Sequence, residues 1–152
     1  MSGSLSMLEQ MKSIIPVLKQ CRVLGIEVVE AEPGHLVLLL PYDRKIVGNP
    51  DTGVIHGGPL TTLMDTACGF AAVTALKEPG IAPTLDLRID YMRSAIPGKP
   101  VLGSAEAYRV TRNVIFARGL AYHEGLQEKP IAHCTATFMR IDPAAVNNRE
   151  KL

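Results

Sequence analysis

Tryptophan is absent from this sequence of 152 residues, and aromatic residues make up only 5% of it. The formal net charge is +1, so the chain also lacks the excess of Lys and Arg that a phosphate backbone attracts. Proteins that bind nucleic acid rely on such a basic surface or on aromatic rings that stack against bases. The composition therefore disfavours a nucleic-acid partner.

Long apolar runs are also missing. A stretch such as 36–40 is far shorter than the roughly 20 apolar residues that a membrane-spanning helix needs. Residues 1–6 lack the basic start and apolar core of a secretory signal. We expect a soluble protein without a membrane partner.

Cysteine is scarce, with three residues far apart at positions 21, 68 and 134. This number and spacing argue against a disulfide framework and against a zinc site, and they favour a reducing cytoplasm. His35, His123 and His133 show no metal-ligand spacing. We expect neither a metal nor a cofactor.

The length suits a single domain spanning 1–152, with a core over about 22–141. Residues 5–20 predict an amphipathic helix, capped by Ser4 and interrupted or restarted at Pro16. The tail after Pro143 is polar and predicts a loose segment.

The rest of the chain indicates strands around one central helix. Residues 84–91 alternate strictly between apolar and polar side chains, which is the clearest strand pattern in the sequence. Composition marks 41–53 as a loop and 32–34 as a hairpin turn. Other strand-like segments are 23–31, 35–40, 101–110, 114–123 and 131–141. The predicted order is helix, two strands, helix, four strands.

The central helix carries the most informative residue. Asp65 is the only charged side chain between Thr52 and Leu76, and Pro59 suits the first turn of a helix. Asp is seldom buried without a partner or a task, so Asp65 is either a hydrogen-bonded structural acid or a working carboxylate. One face of this helix is apolar and comprises Leu60, Leu63, Met64, Ala67, Ala71 and Ala75. A second face, near Asp65, has small and neutral side chains and comprises Thr61, Thr62, Cys68, Gly69 and Ala72.

Short connections imply antiparallel strands, so a sheet covering one side of the helix gives a two-layer α+β domain. The face that bears Thr62, Asp65 and Gly69 then needs another cover. A second copy of the chain is the simplest candidate, which predicts a homodimer.

The segment His56-Gly57-Gly58-Pro59-Leu60-Thr61-Thr62-Leu63-Met64-Asp65-Thr66-Ala67-Cys68-Gly69 resembles a motif of hotdog-fold acyl-CoA thioesterases, particularly the phenylacetate-pathway type. The resemblance extends from about Asn49 to Met139. It implies a curved antiparallel sheet wrapped around one long helix, paired into dimers and often into tetramers. The implied substrate is an acyl-CoA.

The resemblance also implies roles for single residues. Asp65 is the catalytic carboxylate, acting as general base or nucleophile, and the Gly57 N–H binds the thioester carbonyl. Helix N-termini suit that task because their unpaired N–H groups carry positive potential. Asn49 positions the attacking water, and His56 has a supporting role, orienting the loop and Asn49 rather than transferring protons. Thr84 assists water or substrate, although a strand-favouring Thr without such a role fits the pattern equally well.

In this family, Asp and the helix-start amide face each other across the dimer, so that each subunit contributes to two shared sites. Gly58 is a further expected substrate contact. Arginines are expected to bind the CoA phosphates, because the guanidinium matches phosphate geometry. The candidates are Arg88, Arg93, Arg109, Arg112 and Arg118. Arg112-Asn113 departs from the Gly-plus-basic turn that relatives often have there.

Two other functions stay open at this stage. Hotdog folds also host enoyl-CoA hydratases and dehydratases, and Asn49-Pro50-Asp51 is similar to part of the hydratase loop. His56 lies outside that loop, which weakens this alternative. The other alternative is a non-catalytic acyl-CoA-binding protein, for which loss of the helix acid is the expected mark.

Overall fold

The structure is a computed structural model, and it describes residues 5–78 and 80–141. Its main feature is a six-stranded sheet in which all neighbouring strands are antiparallel. The strands are β1 (Glu27–Glu32), β2 (His35–Leu40), β5 (Thr84–Tyr91), β6 (Val101–Val110), β7 (Val114–Tyr122) and β8 (Ala132–Met139), in the order β1-β2-β6-β7-β8-β5. A separate short pair is formed by β3 (Val47–Asn49) and β4 (Val54–Ile55).

The helix α3 (Gly57–Thr74) packs against β2, β6 and β7. Its sequence is rich in Gly and Thr, which are weak helix formers, so burial of its apolar face must supply most of its stability. Two strand glycines let it lie close to the sheet: a Cβ on Gly103 would fall 2.8 Å from Leu63 Cγ, and one on Gly119 would fall 2.7 Å from Met64 Cε. The predicted two-layer α+β arrangement is confirmed.

The N-terminal segment is helical, as expected, in two pieces joined by a 3₁₀ turn at Ile15–Val17: α1 (Met7–Ile14) and α2 (Lys19–Leu24). The break falls at Pro16, as predicted. Ser6 caps α1 through a capping box with Glu9, whereas the predicted cap, Ser4, lies outside the described residues, as does the tail after Pro143.

Two predicted boundaries were wrong. Val23 and Leu24 are the last residues of α2 rather than the start of a strand, because Gly25, with a φ of 68°, ends that helix in the left-handed region. The predicted loop at 41–53 also contains a 3₁₀ turn, Arg44–Ile46, and the short strand β3.

Two residues of the neutral helix face near Asp65, Cys68 and Ala72, are fully buried. Cys68 Sγ lies 3.4 Å from Cys134 Sγ on β8, and the hydrogen bond between these thiols, together with burial, raises the pKa of Cys68.

Strand β5 forms one edge of the sheet, and no described strand pairs with its outer side. Leu85 and Tyr91 on this strand are 51% and 52% exposed. An unpaired edge with exposed apolar side chains invites pairing with another chain. Within the described part of the chain, no helix is long and apolar enough to cross a membrane.

Candidate active site

Asp65 lies in the middle of α3, on the side that the sheet leaves half-buried. Thr84, the first residue of β5, donates a hydrogen bond from Oγ1 to Asp65 Oδ1 at 2.9 Å. No described residue donates to the second carboxylate oxygen, Oδ2. The carboxylate is therefore held in place through one oxygen, while the other can accept a proton or a water molecule.

A groove of about 450 Å³ opens beside this carboxylate. Apart from Asp65, Thr66 and Thr84, its walls are apolar side chains and glycines, drawn from the N-terminal segment, α3, the turn before β5, and β8. They are Met11, Ile14, Leu18, Gly69, Phe70, Val73, Gly80, Ile81, Ala82 and Phe138. The groove thus combines one carboxylate with an apolar lining that suits a hydrocarbon group.

In the first turn of α3, one backbone N–H group has no hydrogen-bond acceptor among the described residues. The His56 N–H donates to Ile46 O at 2.8 Å, the Gly58 N–H donates to His56 Nδ1 at 2.9 Å, and Pro59 has no N–H. No described residue accepts from the Gly57 N–H. This half-buried donor at a helix N-terminus can bind a carbonyl oxygen and stabilise negative charge on it.

Tyr91 is a residue of this site that the sequence reasoning missed. Its hydroxyl donates to the Gly57 carbonyl oxygen at 3.0 Å and lies 2.8 Å from Thr61 Oγ1. These contacts fix the peptide group next to the free donor. Strict alternation in β5 places Tyr91 with the apolar residues, and only the packing of β5 against α3 brings its hydroxyl to the helix start.

Asp65 and Gly57 do not share a cavity within one chain. They are eight positions apart in the helix, which is about 12 Å along the axis. Gly57 instead lines a second cavity of about 400 Å³, together with Tyr91 and Arg93. One thioester carbonyl cannot contact both groups of the same chain.

Asn49 and His56 occupy the loop that leads into α3. Asn49 Oδ1 accepts from the Asp51 N–H at 3.0 Å, and Asn49 lines neither of the two cavities. His56 caps the helix through Nδ1, and no hydrogen bond between the described atoms joins it to Asn49. The expected support by His56 therefore acts on the helix start rather than on Asn49.

The geometry of this loop does not support the hydratase alternative. Asp51 is exposed, and no ion pair or hydrogen bond among the described residues links its carboxylate to His56. Because His56 Nδ1 accepts the Gly58 N–H, this atom is committed to the backbone. A paired Asp and His for moving two protons is not assembled here.

Of the predicted CoA contacts, Arg93 alone lines the Gly57 cavity, and its Nε donates to Pro130 O at 3.0 Å. Arg88 forms an exposed ion pair with Asp90 on β5, at 3.0 Å. Arg112 is exposed in the turn between β6 and β7. Because the Gly58 N–H is used by His56, Gly58 can contribute space to a substrate but not that donor.

A long helix packed on a six-stranded antiparallel sheet is the arrangement of the hotdog fold, which includes a large class of thioester hydrolases. Residues 52–129 match the thioesterase superfamily, and the chain belongs to this family. This confirms the resemblance and the fold that it implied.

Named relatives agree with this assignment. The chain is 28% identical over 131 residues to the medium/long-chain acyl-CoA thioesterase YigI of Escherichia coli, covering 78% of this chain and 83% of YigI. It is 41% identical over 75 residues to a Halobacterium salinarum protein named as an inferred esterase. That match covers 47% of this chain and half of the relative's length.

Solved structures show the same fold. A Pseudomonas aeruginosa protein of 51% identity has a TM-score of 0.80, with 90% of this chain and 100% of that chain covered. A mutant of the phenylacetic acid degradation protein PaaI from Thermus thermophilus, 29% identical, has a TM-score of 0.69 over 80% of this chain and 97% of that one.

Proposed function

We propose that this protein hydrolyses acyl-CoA thioesters at sites shared between two copies of the chain. The observation that carries the proposal is the Asp65 carboxylate, fixed by Thr84 at the mouth of an apolar groove. The free Gly57 N–H of a partner supplies the oxyanion donor that Asp65 lacks in its own chain. Names of relatives that act on medium- and long-chain acyl-CoA support an aliphatic acyl group.

In the proposed reaction, Asp65 accepts a proton from water as the water oxygen bonds to the thioester carbon. Negative charge develops on the carbonyl oxygen, where the partner's Gly57 N–H and its helix dipole stabilise it. The carbon–sulfur bond then breaks, and the proton on Asp65 passes to the departing thiolate. The products are the free acid and CoA, and no cofactor takes part.

Covalent attack by Asp65 gives the same products through an anhydride. The two routes differ in the origin of the second oxygen in the acid. In a single turnover in ¹⁸O-water, the general-base route labels the released acid, whereas the covalent route, with water attacking Asp65's own carbonyl carbon, labels Asp65.

Dimerisation is supported by two unpaired surfaces on the same side of the molecule. The outer edge of β5 exposes Leu85 and Tyr91, and the adjacent face of the first half of α3 leaves Thr62 and Asp65 half-buried. A two-fold axis beside β5 can pair both surfaces with their copies and run the two α3 helices antiparallel. Each Asp65 is then directed towards the other chain's Gly57.

We further propose that dimers pair into tetramers and that the protein is located in the cytoplasm. Pairing of dimers into a tetramer is testable by the molar mass from light scattering. A single domain in a reducing cytoplasm is the proposed setting, because Cys21, Cys68 and Cys134 are free thiols buried in the core.

Mixing two inactive variants tests the shared site. We expect Asp65→Asn and Gly57→Pro, unfolded and refolded together, to regain about a quarter of wild-type activity, since half of the random dimers carry one intact site. Activity is measured as CoA release with a thiol reagent over a panel of acyl-CoAs.

The matched control is each variant refolded alone, which should stay inactive. Recovery in the mixture supports a site built from two chains. If the mixed sample is no more active than the separate variants, although light scattering shows dimers, Asp65 and Gly57 do not act across an interface.

Thr84→Val should lower kcat about 10- to 100-fold, because a hydrogen bond to a charged group contributes roughly 1.5–3 kcal/mol. Val matches Thr in shape, so the loss reports the hydroxyl alone. Thr84→Ser, which keeps the hydroxyl, should retain most activity. Equal kcat values for the Val and Ser variants would show that the contact with Asp65 is structural.

A further inference from the structure

The groove beside Asp65 has a wall that the family motif does not include. Ile14, at the end of α1, and Leu18, after the 3₁₀ turn, line this groove and are 43% and 41% exposed. Their neighbours Met11 and Ile15 are 4% and 0% exposed and anchor the segment in the core. The N-terminal segment therefore presents apolar side chains to the groove from a fixed position.

The opposite wall follows a stripe of α3. Asp65, Gly69 and Val73 are spaced four residues apart, so they lie along one face of the helix and span about 12 Å. The reactive carboxylate stands at one end of this stripe and Val73 at the other. Gly69, in between, has no side chain to obstruct the path, and a Cβ there would contact Phe138 at 3.4 Å.

The length of this stripe sets the length of the acyl chain that fits the groove. An extended chain of saturated atoms advances about 1.2 Å per bond, judged from the rise of about 3.5 Å over the three bonds of an extended residue. A stripe of about 12 Å then accommodates eight to ten carbons beyond the carbonyl carbon. A branched or aromatic acid would fill the near part of the groove and leave the part between Ile14 and Val73 empty.

We propose that Ile14, Leu18 and Val73 select the acyl chain, so that the preferred substrates are linear acyl-CoAs of medium length. This inference rests on the proposed thioesterase function, because Asp65 fixes where the carbonyl carbon lies. The N-terminal segment acts as the length-selecting wall, and Val73 marks the end of the groove.

The test compares kcat/KM for butanoyl-, octanoyl-, decanoyl- and hexadecanoyl-CoA. In the wild type we expect a rise of roughly three- to fourfold per added methylene up to about eight to ten carbons beyond the carbonyl carbon, a range that decanoyl-CoA reaches, and no further rise beyond. Butanoyl-CoA, with three carbons beyond the carbonyl carbon, is too short to reach Val73, about 12 Å along α3 from Asp65, so its hydrolysis serves as an internal control for folding.

Two variants and one matched control probe the wall. Val73→Phe should fill the far end and lower the decanoyl-to-butanoyl ratio of kcat/KM at least tenfold, and Ile14→Ala should lower it roughly three- to tenfold by removing apolar contact. Val17→Ala removes an exposed side chain, 73% accessible, that does not line the groove, and it should leave the ratio unchanged.

Binding of S-butyl- and S-decyl-CoA thioethers, which cannot be hydrolysed, provides a second readout by calorimetry. Tighter binding of the decyl compound, weakened by Ile14→Ala and not by Val17→Ala, supports the proposal. The inference is overturned if neither variant changes the decanoyl-to-butanoyl ratio or the decyl affinity, or if the rate keeps rising to hexadecanoyl-CoA. Should Val73→Phe fail to fold, Ile14→Ala decides alone. Loss of thioester hydrolysis at every length, with selective decyl binding retained, would refute the proposed function while leaving the groove assignment standing.

Discussion

Replacing Asp65 with Asn should lower kcat by about 10²- to 10⁴-fold, the usual contribution of a positioned general base. Asn keeps the size of the side chain, and its carbonyl oxygen can still accept the Thr84 hydrogen bond that fixes Asp65 Oδ1. The amide cannot take a proton from water, so the loss isolates the proton transfer. The measurement is steady-state CoA release, with the thermal unfolding midpoint recorded for both proteins.

Asp43→Asn is the matched control for this experiment. Asp43 is half-buried and lines neither cavity, and its carboxylate accepts from the Lys45 N–H at 2.9 Å, a contact that Asn can also make. We expect kcat close to that of the wild type. If the Asp65 variant is as active as the wild type and the Asp43 variant, Asp65 is a structural acid; if all three proteins release CoA equally slowly across the panel, the chain fits the binding-protein alternative better than the enzyme.

Gly57→Pro should reduce kcat/KM by about 10²- to 10³-fold, as removal of one oxyanion donor does in other enzymes. The substitution deletes the N–H that no described residue accepts. The backbone accommodates it, because Pro is favoured at the first helical position and His56, with φ −70° and ψ 152°, has the extended conformation required before Pro.

Gly57→Ala distinguishes the effect of losing the N–H from the effect of adding a side chain at this position. A Cβ at this position would lie 3.2 Å from Tyr91 Oη, so both variants require the same small shift of Tyr91, but Ala retains the N–H. We expect the Ala variant to be far more active than the Pro variant. Similar activities in the two would mean that the Gly57 N–H does not contact the reacting carbonyl.

The sequence was sufficient to locate Asp65 and the helix that carries it. A lone acid in an apolar segment with helical spacing is rare enough to be informative, and the Gly-Gly-Pro start positions the helix N-terminus. For Thr84, the sequence left two equal alternatives: assistance to water or substrate, and a strand residue without such a role. Its role as a hydrogen-bond donor to Asp65 depends on how β5 lies against α3, a contact between residues 19 positions apart.

The motif resemblance pointed to the Gly57 N–H, but whether this donor is left unpaired could not be read from the sequence. Gly57 becomes a free donor because three neighbouring positions are accounted for by Ile46 O, by His56 Nδ1 and by the proline ring. That count requires coordinates for the loop as well as the helix.

By itself, the sequence determined the α+β class, the order of the main elements and the identity of the acid, because spacing of apolar residues and rare charges are properties of neighbouring positions. Only the tertiary structure decided which groups meet. It placed Thr84 on Asp65, Tyr91 on the Gly57 peptide and the N-terminal segment along the groove. Those contacts join residues distant in the chain, and their geometry follows from the twist of the sheet and the packing of α3 on it rather than from any local pattern.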